Sequence, residues 1–138
     1  MDRDSPPGRF YGQFDPPVDR LLFERYFRDH QGPGVCLECG AFDGVTESSC
    51  KFFEEALGWT AINVEASQRI YAELTRNRPQ SINLNLALSH ANASVEFTDV
   101  DHPGHALCTN GSLRHLAPHR ELLDEALCTY RSSRVSRA

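Results

Sequence analysis

The fold is decided by the stretch Val35-Cys36-Leu37-Glu38-Cys39-Gly40-Ala41-Phe42-Asp43-Gly44. An apolar run ends near an acid, two glycines enclose a short loop, and a helical pattern follows. This order predicts a strand–turn–helix unit whose loop lies at the carboxyl end of a buried strand, where open α/β sheets bind nucleotides. A plain glycine turn remains the alternative, because short glycine motifs have many false positives.

The composition of this loop favours a cationic ligand over a phosphate. A dinucleotide-binding loop reads Gly-x-Gly-x-x-Gly, and its second glycine lets the backbone approach a pyrophosphate. Here the spacing is Gly40-x-x-x-Gly44, and Phe42 stands where that second glycine would be. The carboxylates of Glu38 and Asp43 flank the loop, so they would repel a phosphate and attract an ammonium or sulfonium group. S-adenosylmethionine (SAM) carries both of these cations.

The residues after the loop complete a βαβ pattern. Apolar residues at helical spacing predict a helix over 46–57, with Thr46 as its N-cap and Gly58 as its stop. A second strand is predicted over Thr60–Val64, and Glu65 follows it. An acid there can accept both hydrogen bonds of an adenosine ribose diol. The alternative is that Glu65 is an N-cap or a solvated acid before the next helix.

Hydrophobic periodicity predicts the remaining elements. They are a helix opened by Pro16-Pro17 over 18–27 that packs on the sheet, a helix over Gln68–Asn77, a third strand over 82–86, a short fourth strand over 95–98, and a helix over 113–127 that Pro118 interrupts or restarts. Residues 1–14 are rich in Pro, Gly and charge and are expected to be poorly ordered, and the arginine-containing tail 131–138 is expected to be solvated. We therefore predict an α/β class with one Rossmann-like, doubly wound domain over 15–138.

Several of these motifs together resemble a known family. They are the stretches 34–48 and 57–66, then Asn77-Arg78-Pro79, and finally Leu86-Ala87-Leu88-Ser89. In this order they resemble the FkbM-type methyltransferases, and the likeness runs from about Gln13 to Val100. The resemblance implies a SAM-dependent methyltransferase, usually one that methylates hydroxyl groups of sugars, polyketides or other small molecules.

The resemblance also implies which residues bind SAM. They are Glu38, Gly40 and Ala41 for the methionine part, Asp43 and Gly44 for the shape of the same loop, Glu65 for the ribose, and the backbone around Ala87 and Leu88 for the adenine. No residue of this chain is assigned as the catalytic base. The histidines His102, His105 and His115 are residue types that could serve, but nothing assigns one of them.

Composition limits the class of partner. The chain has 138 residues and a net charge of −5, with a pI near 5.6, which argues against nucleic acid or an anionic membrane as a general partner. No apolar run approaches about 18 residues, and the amino terminus has no apolar signal-peptide core. We therefore expect a cytoplasmic protein that acts on a small molecule.

The spacing of the cysteine and histidine residues bears on whether the chain binds a metal ion. Five cysteines without a secretory signal are typical of free thiols. Cys36 and Cys39 are three apart on a predicted strand, so they point to opposite faces and cannot hold one ion. The loop containing His102, His105 and Cys108 could hold zinc, but a solvated loop is the favoured interpretation and no metal is predicted.

The predicted sheet is incomplete after three or four strands. In the resembled family, another strand pairs with the outer side of the first one and carries an acidic motif. Without it, residues 35–39 form an exposed apolar edge that could mediate self-association. Three functions stay open: the SAM-binding half of a methyltransferase, a non-catalytic remnant that binds SAM weakly or pairs through its edge, and an NAD-dependent oxidoreductase.

Overall fold

The computed structural model describes residues 8–88, 94–104 and 111–137, and within them the chain is mixed α/β with two three-stranded sheets. Its elements are α1 (Val18–Leu22), which continues as a π-helical turn (Phe23–Phe27), β1 (Val35–Cys39), α2 (Ser49–Leu57), β2 (Thr60–Val64), α3 (Gln68–Asn77), β3 (Ile82–Leu84), β4 (Leu86–Ala87), β5 (Ser94–Asp101), α4 (Ala117–Glu125) and β6 (Thr129–Arg137). None of the described helices is long and apolar enough to cross a membrane.

The first sheet is parallel and has the order β1-β2-β3. Both β2 and α3 have the predicted bounds. The register aligns Leu37 with Ile62 and Ile62 with Ile82, so these side chains share one face of the sheet. On that face Leu37 is 61% exposed and Ile82 is 49% exposed. Among the described residues, β1 has no strand on its outer side.

Helix α2 begins three residues later than predicted, and its N-cap is Ser48 rather than Thr46. The Ser48 hydroxyl accepts a hydrogen bond from Lys51 N at 3.3 Å. The Thr46 hydroxyl instead donates a hydrogen bond to Asp43 Oδ2 at 2.7 Å, within the turn that precedes the helix. At the other end, Gly58 adopts a left-handed φ of 66°, which confirms the predicted stop.

Aromatic side chains form the core between α2 and the amino-terminal segment. Phe52 is fully buried and contacts Phe10 and Phe23 at centroid distances of 4.4 and 5.2 Å. Within the segment 1–14 that was predicted to be poorly ordered, Phe10 and Tyr11 contact α2, and the Tyr11 hydroxyl donates to Glu55 Oε2 at 2.6 Å. In the predicted helix over 18–27, the π-helical turn inserts an extra residue, which rotates the following side chains. Tyr26 is therefore exposed and does not join the apolar face predicted for it.

The predicted third strand, 82–86, is wrong because it divides at Asn85. Residues before the division form β3 in the first sheet, and residues after it form β4 in the second. The Asn85 amide donates to the carbonyl oxygens of Glu65 and Ala66 at 2.8 and 3.1 Å. This side chain thus fixes the place where the chain passes from one sheet to the other.

The second sheet has the order β4-β6-β5, with β5 antiparallel to β6. The prediction of a solvated tail is wrong, because β6 is the central strand of this sheet. Its Val135 is buried with Ala87 and Phe97. Strand β5 is also longer than the predicted 95–98. Arginine and serine side chains on β6 hid its strand pattern, yet Arg131 forms an ion pair with Asp101 of β5 at 2.7 Å.

Helix α4 covers only the middle of the predicted 113–127. It begins at Ala117, and Pro118 occupies its first turn. Backbone N–H groups in the first turn have no partner within the helix, so a proline there costs no helical hydrogen bond. Pro118 therefore starts the helix instead of interrupting one. Leu123 is its buried residue and packs with Val100 and Cys128.

Candidate functional site

A cleft of about 390 Å³ opens where the carboxyl ends of β1 and β2 face the second sheet. The first sheet contributes Gly40, Phe42 and Glu65 to its wall, and the second contributes Ala87 and Phe97. Its volume lies in the range of about 300–1,000 Å³ that is usual for small-molecule sites. The cleft thus lies where the sequence predicted a ligand, at the end of the first two parallel strands.

The structure divides the eight predicted cofactor residues into two groups. Four line the cleft, namely Gly40, Glu65, Ala87 and Leu88. The other four, Glu38, Ala41, Asp43 and Gly44, are not among its lining residues and instead hold the loop and α2 in place. The first group therefore contains the candidate ligand contacts, and the second group shapes the backbone that presents them.

Glu38 points toward α2 and caps its amino terminus. Its Oε2 accepts a hydrogen bond from the Ser48 hydroxyl at 2.6 Å, and its Oε1 accepts one from Ser49 N at 2.7 Å. The positive end of the helix dipole and the first backbone N–H groups of α2 therefore already face a carboxylate. This is the place where a dinucleotide-binding loop would seat a pyrophosphate.

Asp43 and Gly44 form the turn that carries the loop into α2. Asp43 Oδ1 accepts hydrogen bonds from the backbone N–H groups of Val45 and Thr46 at 2.9 and 2.7 Å. Gly44 has a φ of 75°, and an added Cβ would lie 2.6 Å from Leu74 Cδ1. A side chain at this position would therefore meet both backbone strain and a steric clash.

The backbone N–H groups of the loop are used within the protein. Gly40 N and Ala41 N both donate to the carbonyl oxygen of Val64, at 2.9 and 3.0 Å. Phe42 N donates to Glu65 Oε2 at 3.0 Å, and Gly44 N donates to the Ala41 carbonyl oxygen at 2.9 Å. A phosphate in the cleft would find these four donors already engaged.

Glu65 is the one carboxylate among the described residues that line the cleft. It is only 7% exposed, and its Oε1 accepts a hydrogen bond from Ser67 N at 2.8 Å, opposite the bond from Phe42 N. Burial raises the pKa of Glu65, although the backbone donors Ser67 and Phe42 act against that rise. Each carboxylate oxygen has a second lone pair, so the group can still accept two hydroxyl hydrogens. The N-cap of α3 is Ser67, not Glu65.

Phe97 and Asn85 are among the contributors to the cleft that were missed from the sequence. Phe97 lies on β5, and no motif links that strand to the glycine loop. Asn85 shapes the cleft through the carbonyl oxygens of Glu65 and Ala66. The sequence offered no signal for this role of Asn85, because it occupies a polar position in the regular alternation over 82–86. For Phe97 the sequence offered no signal beyond the alternation of residues 95–98.

The candidate metal residues fall partly outside the described part of the chain. His105 and Cys108 lie there, so the predicted loop cluster stays a hypothesis, while His102 Nδ1 accepts a hydrogen bond from Gly104 N at 3.0 Å. Cys36 contacts α2 and Cys39 lines the cleft, consistent with opposite faces of β1. Among the described residues, no three His, Cys, Asp or Glu side chains are grouped to hold a metal ion.

No family model, curated protein or solved structure matches the chain. A function for this protein therefore rests on the chemistry of the cleft.

Proposed function

We propose that the cleft binds SAM and that this chain supplies the cofactor half of a SAM-dependent methyltransferase acting on a hydroxyl group of a small molecule or sugar. The observation that carries the proposal is the position of Glu65, a buried carboxylate that follows β2 and lines the cleft beside the glycine loop. Its remaining lone pairs suit the two hydroxyls of a ribose.

The occupied donors around the loop favour SAM over a dinucleotide. The N–H groups of Gly40, Ala41 and Phe42 are engaged, and Glu38 covers the amino terminus of α2. A pyrophosphate would have to displace a carboxylate and would lie near the charge of Glu65. SAM carries no phosphate and bears a net positive charge on its sulfonium and ammonium groups, so the same arrangement attracts it.

The remaining walls of the cleft suit an adenine ring. Ala87, Leu88 and Phe97 contribute apolar surface, and an aromatic ring can stack on a purine. None of the described residues lining the cleft is lysine or arginine, so nothing there is suited to a phosphate. In this proposal the ribose lies against Glu65, the adenine lies against the second sheet, and the methionine part extends toward Gly40.

The proposed fold is the cofactor-binding half of a Rossmann-like, doubly wound sheet. The parallel order β1-β2-β3 with intervening helices supports it, since this is one half of such a sheet. Methyl transfer needs an acceptor oxygen aligned with the methyl group, and a base when that oxygen is not acidic enough. We assign no residue of this chain as that base.

Isothermal titration calorimetry with SAM tests the proposal. Glu65→Gln keeps the size of the side chain but replaces one acceptor oxygen with a donor group. We expect binding to weaken by about tenfold or more, which corresponds to the roughly 1–3 kcal/mol of a hydrogen bond to a charged group. Glu121→Gln is the matched control, because Glu121 is exposed on α4 and does not line the cleft. Equal affinity in the wild type and Glu65→Gln would overturn the role of Glu65.

Differential scanning fluorimetry separates SAM from NAD. Only a ligand that binds the native state raises the melting temperature, so SAM should raise it and NAD should leave it unchanged. A rise with NAD alone would favour the oxidoreductase alternative. No change with either ligand would favour a non-catalytic protein.

The edge of β1 favours a second candidate function, that of a non-catalytic module that pairs with another copy. Val35 and Leu37 are 64% and 61% exposed, and an apolar edge strand can pair with a second strand. Gel filtration of the wild type and of Leu37→Lys tests it. A dimer that dissociates in the variant supports pairing, whereas a wild-type monomer contradicts it.

A further inference from the structure

Two cysteines flank the glycine loop in sequence and meet behind it in space. Cys36 lies on β1, and Cys50 lies in the first turn of α2. Cys36 Sγ is 3.7 Å from the Cys50 carbonyl oxygen and 3.8 Å from the Thr60 carbonyl oxygen. Both cysteines are free thiols, Cys36 half-buried and Cys50 buried. The Cys36 side chain therefore contacts residue Cys50 where β1 packs against α2.

The two thiols differ in acidity because one supports the charge of the other. The Cys50 S–H group can donate to the Cys36 sulfur, and this contact lowers the pKa of Cys36. The positive charge of Arg78 acts in the same direction. Burial and the adjacent Cys36 sulfur raise the pKa of Cys50. Cys36 is thus the more acidic of the two thiols, and Cys50 is the neighbour that stays protonated.

We propose that Cys36 and Cys50 are a redox pair that a hydroperoxide converts to a disulfide joining β1 to α2. In the first step the Cys36 thiolate attacks one oxygen of the peroxide, and the O–O bond breaks. When the oxidant is hydrogen peroxide, Cys36 becomes a sulfenic acid, and the departing hydroxide takes up a proton to form water. In the second step the Cys50 sulfur attacks the Cys36 sulfur, the S–O bond breaks, and a second water leaves. The two thiols lose two electrons, and the peroxide gains them.

The other cysteines of the described chain lack this arrangement. Cys39 is exposed but lies three residues from Cys36 on the same strand, so its side chain points to the other face. Cys128 is buried in a separate cluster with Val100 and Leu123. If exposure alone decided reactivity, Cys39 would be oxidised first. The proposal instead predicts that the disulfide joins Cys36 to Cys50 and leaves Cys39 out.

Peptide mapping of the full chain tests the pair directly. The reduced protein is treated with a small excess of hydrogen peroxide under native conditions, alkylated in denaturant, and cut after Arg and Lys and after Glu. Cleavage at Glu38 and Glu47 places the three cysteines on separate peptides, 29–38, 39–47 and 48–51. We expect peptides 29–38 and 48–51 to appear as one disulfide-linked species that lacks two hydrogen atoms, and peptide 39–47 to stay alkylated.

Serine variants give the matched controls. Cys36→Ser and Cys50→Ser should each lose the linked species, and Cys39→Ser should keep it. Circular dichroism before oxidation shows whether each variant is folded. If a variant is unfolded, the peptide map of the wild type decides whether Cys36 and Cys50 form a disulfide. A Cys36–Cys39 link, or free alkylated Cys36 and Cys50 after oxidation, would refute the pair. No SAM enters this experiment, so its outcome is independent of the proposed cofactor.

Discussion

Replacing Gly44 with alanine should destabilise the protein by about 2–5 kcal/mol. Gly44 has a φ of 75°, and the left-handed conformation costs a residue with a Cβ about 1–2 kcal/mol. The new Cβ would also lie 2.6 Å from Leu74 Cδ1 and 2.7 Å from Arg78 Cγ. Relieving an overpacked contact of this kind typically costs about 1–3 kcal/mol. Arg78 is only 3% exposed and donates to the Gly44 carbonyl oxygen, so it has little freedom to move away.

The matched control is Gly40→Ala in the same loop. Gly40 has a φ of 72°, but an added Cβ would meet no atom within 4 Å. Only the cost of the left-handed backbone conformation applies at Gly40, so the free energy of unfolding should fall by about 1–2 kcal/mol. Urea denaturation followed by the fluorescence of Trp59, the single tryptophan, measures both variants. Equal losses in the two variants would refute the packing argument, and a loss of less than about 0.5 kcal/mol for Gly44→Ala would refute both terms.

Three further predictions concern stability. Because burial raises the pKa of Glu65, the folded protein binds its proton more tightly than the unfolded chain. The free energy of unfolding should therefore fall as pH rises from the ordinary glutamate pKa through the raised value, and urea titrations should show a flatter dependence for Glu65→Gln. Asn85→Ala should cost about 1–3 kcal/mol, measured by urea denaturation, because two carbonyl oxygens lose their donor. Phe52→Ala should cost about 3–5 kcal/mol and lower the melting temperature in calorimetry, since this side chain is fully buried; a surface-like loss below 1 kcal/mol would contradict its place in the core.

The parallel sheet was predictable because its signals are local. β2 combines β-branched and apolar residues between Gly58 and Glu65, and α3 has apolar residues at helical spacing, so both bounds were predicted. The error at the start of α2 came from competition between two hydroxyls. Thr46 and Ser48 are both good N-cap residues, and only the three-dimensional structure shows that the helix begins after Ser48.

The second sheet was harder to predict because its strands are distant in sequence. β6 presents arginine and serine on one face, and its strand character depends on pairing with β5 more than 25 residues earlier. In the candidate site, the alternation of strand side chains separates Glu38 from Cys39, so only one of them can face the cleft. Glu65 was predictable from its place after β2, whereas Phe97 depends on the sheet that the sequence did not reveal.

The passage of the chain through Asn85 has a mechanical consequence. A single residue separates β3 from β4, so the polypeptide crosses between the two sheets with almost no slack. One wall of the cleft belongs to each sheet, and the amide of Asn85 fastens this joint to the carbonyl oxygens beneath the opposite wall. The two walls are therefore tied at this crossing and again where Arg69 of α3 pairs with Asp101 of β5 at 3.1 Å, so a ligand between the walls would act on both ties.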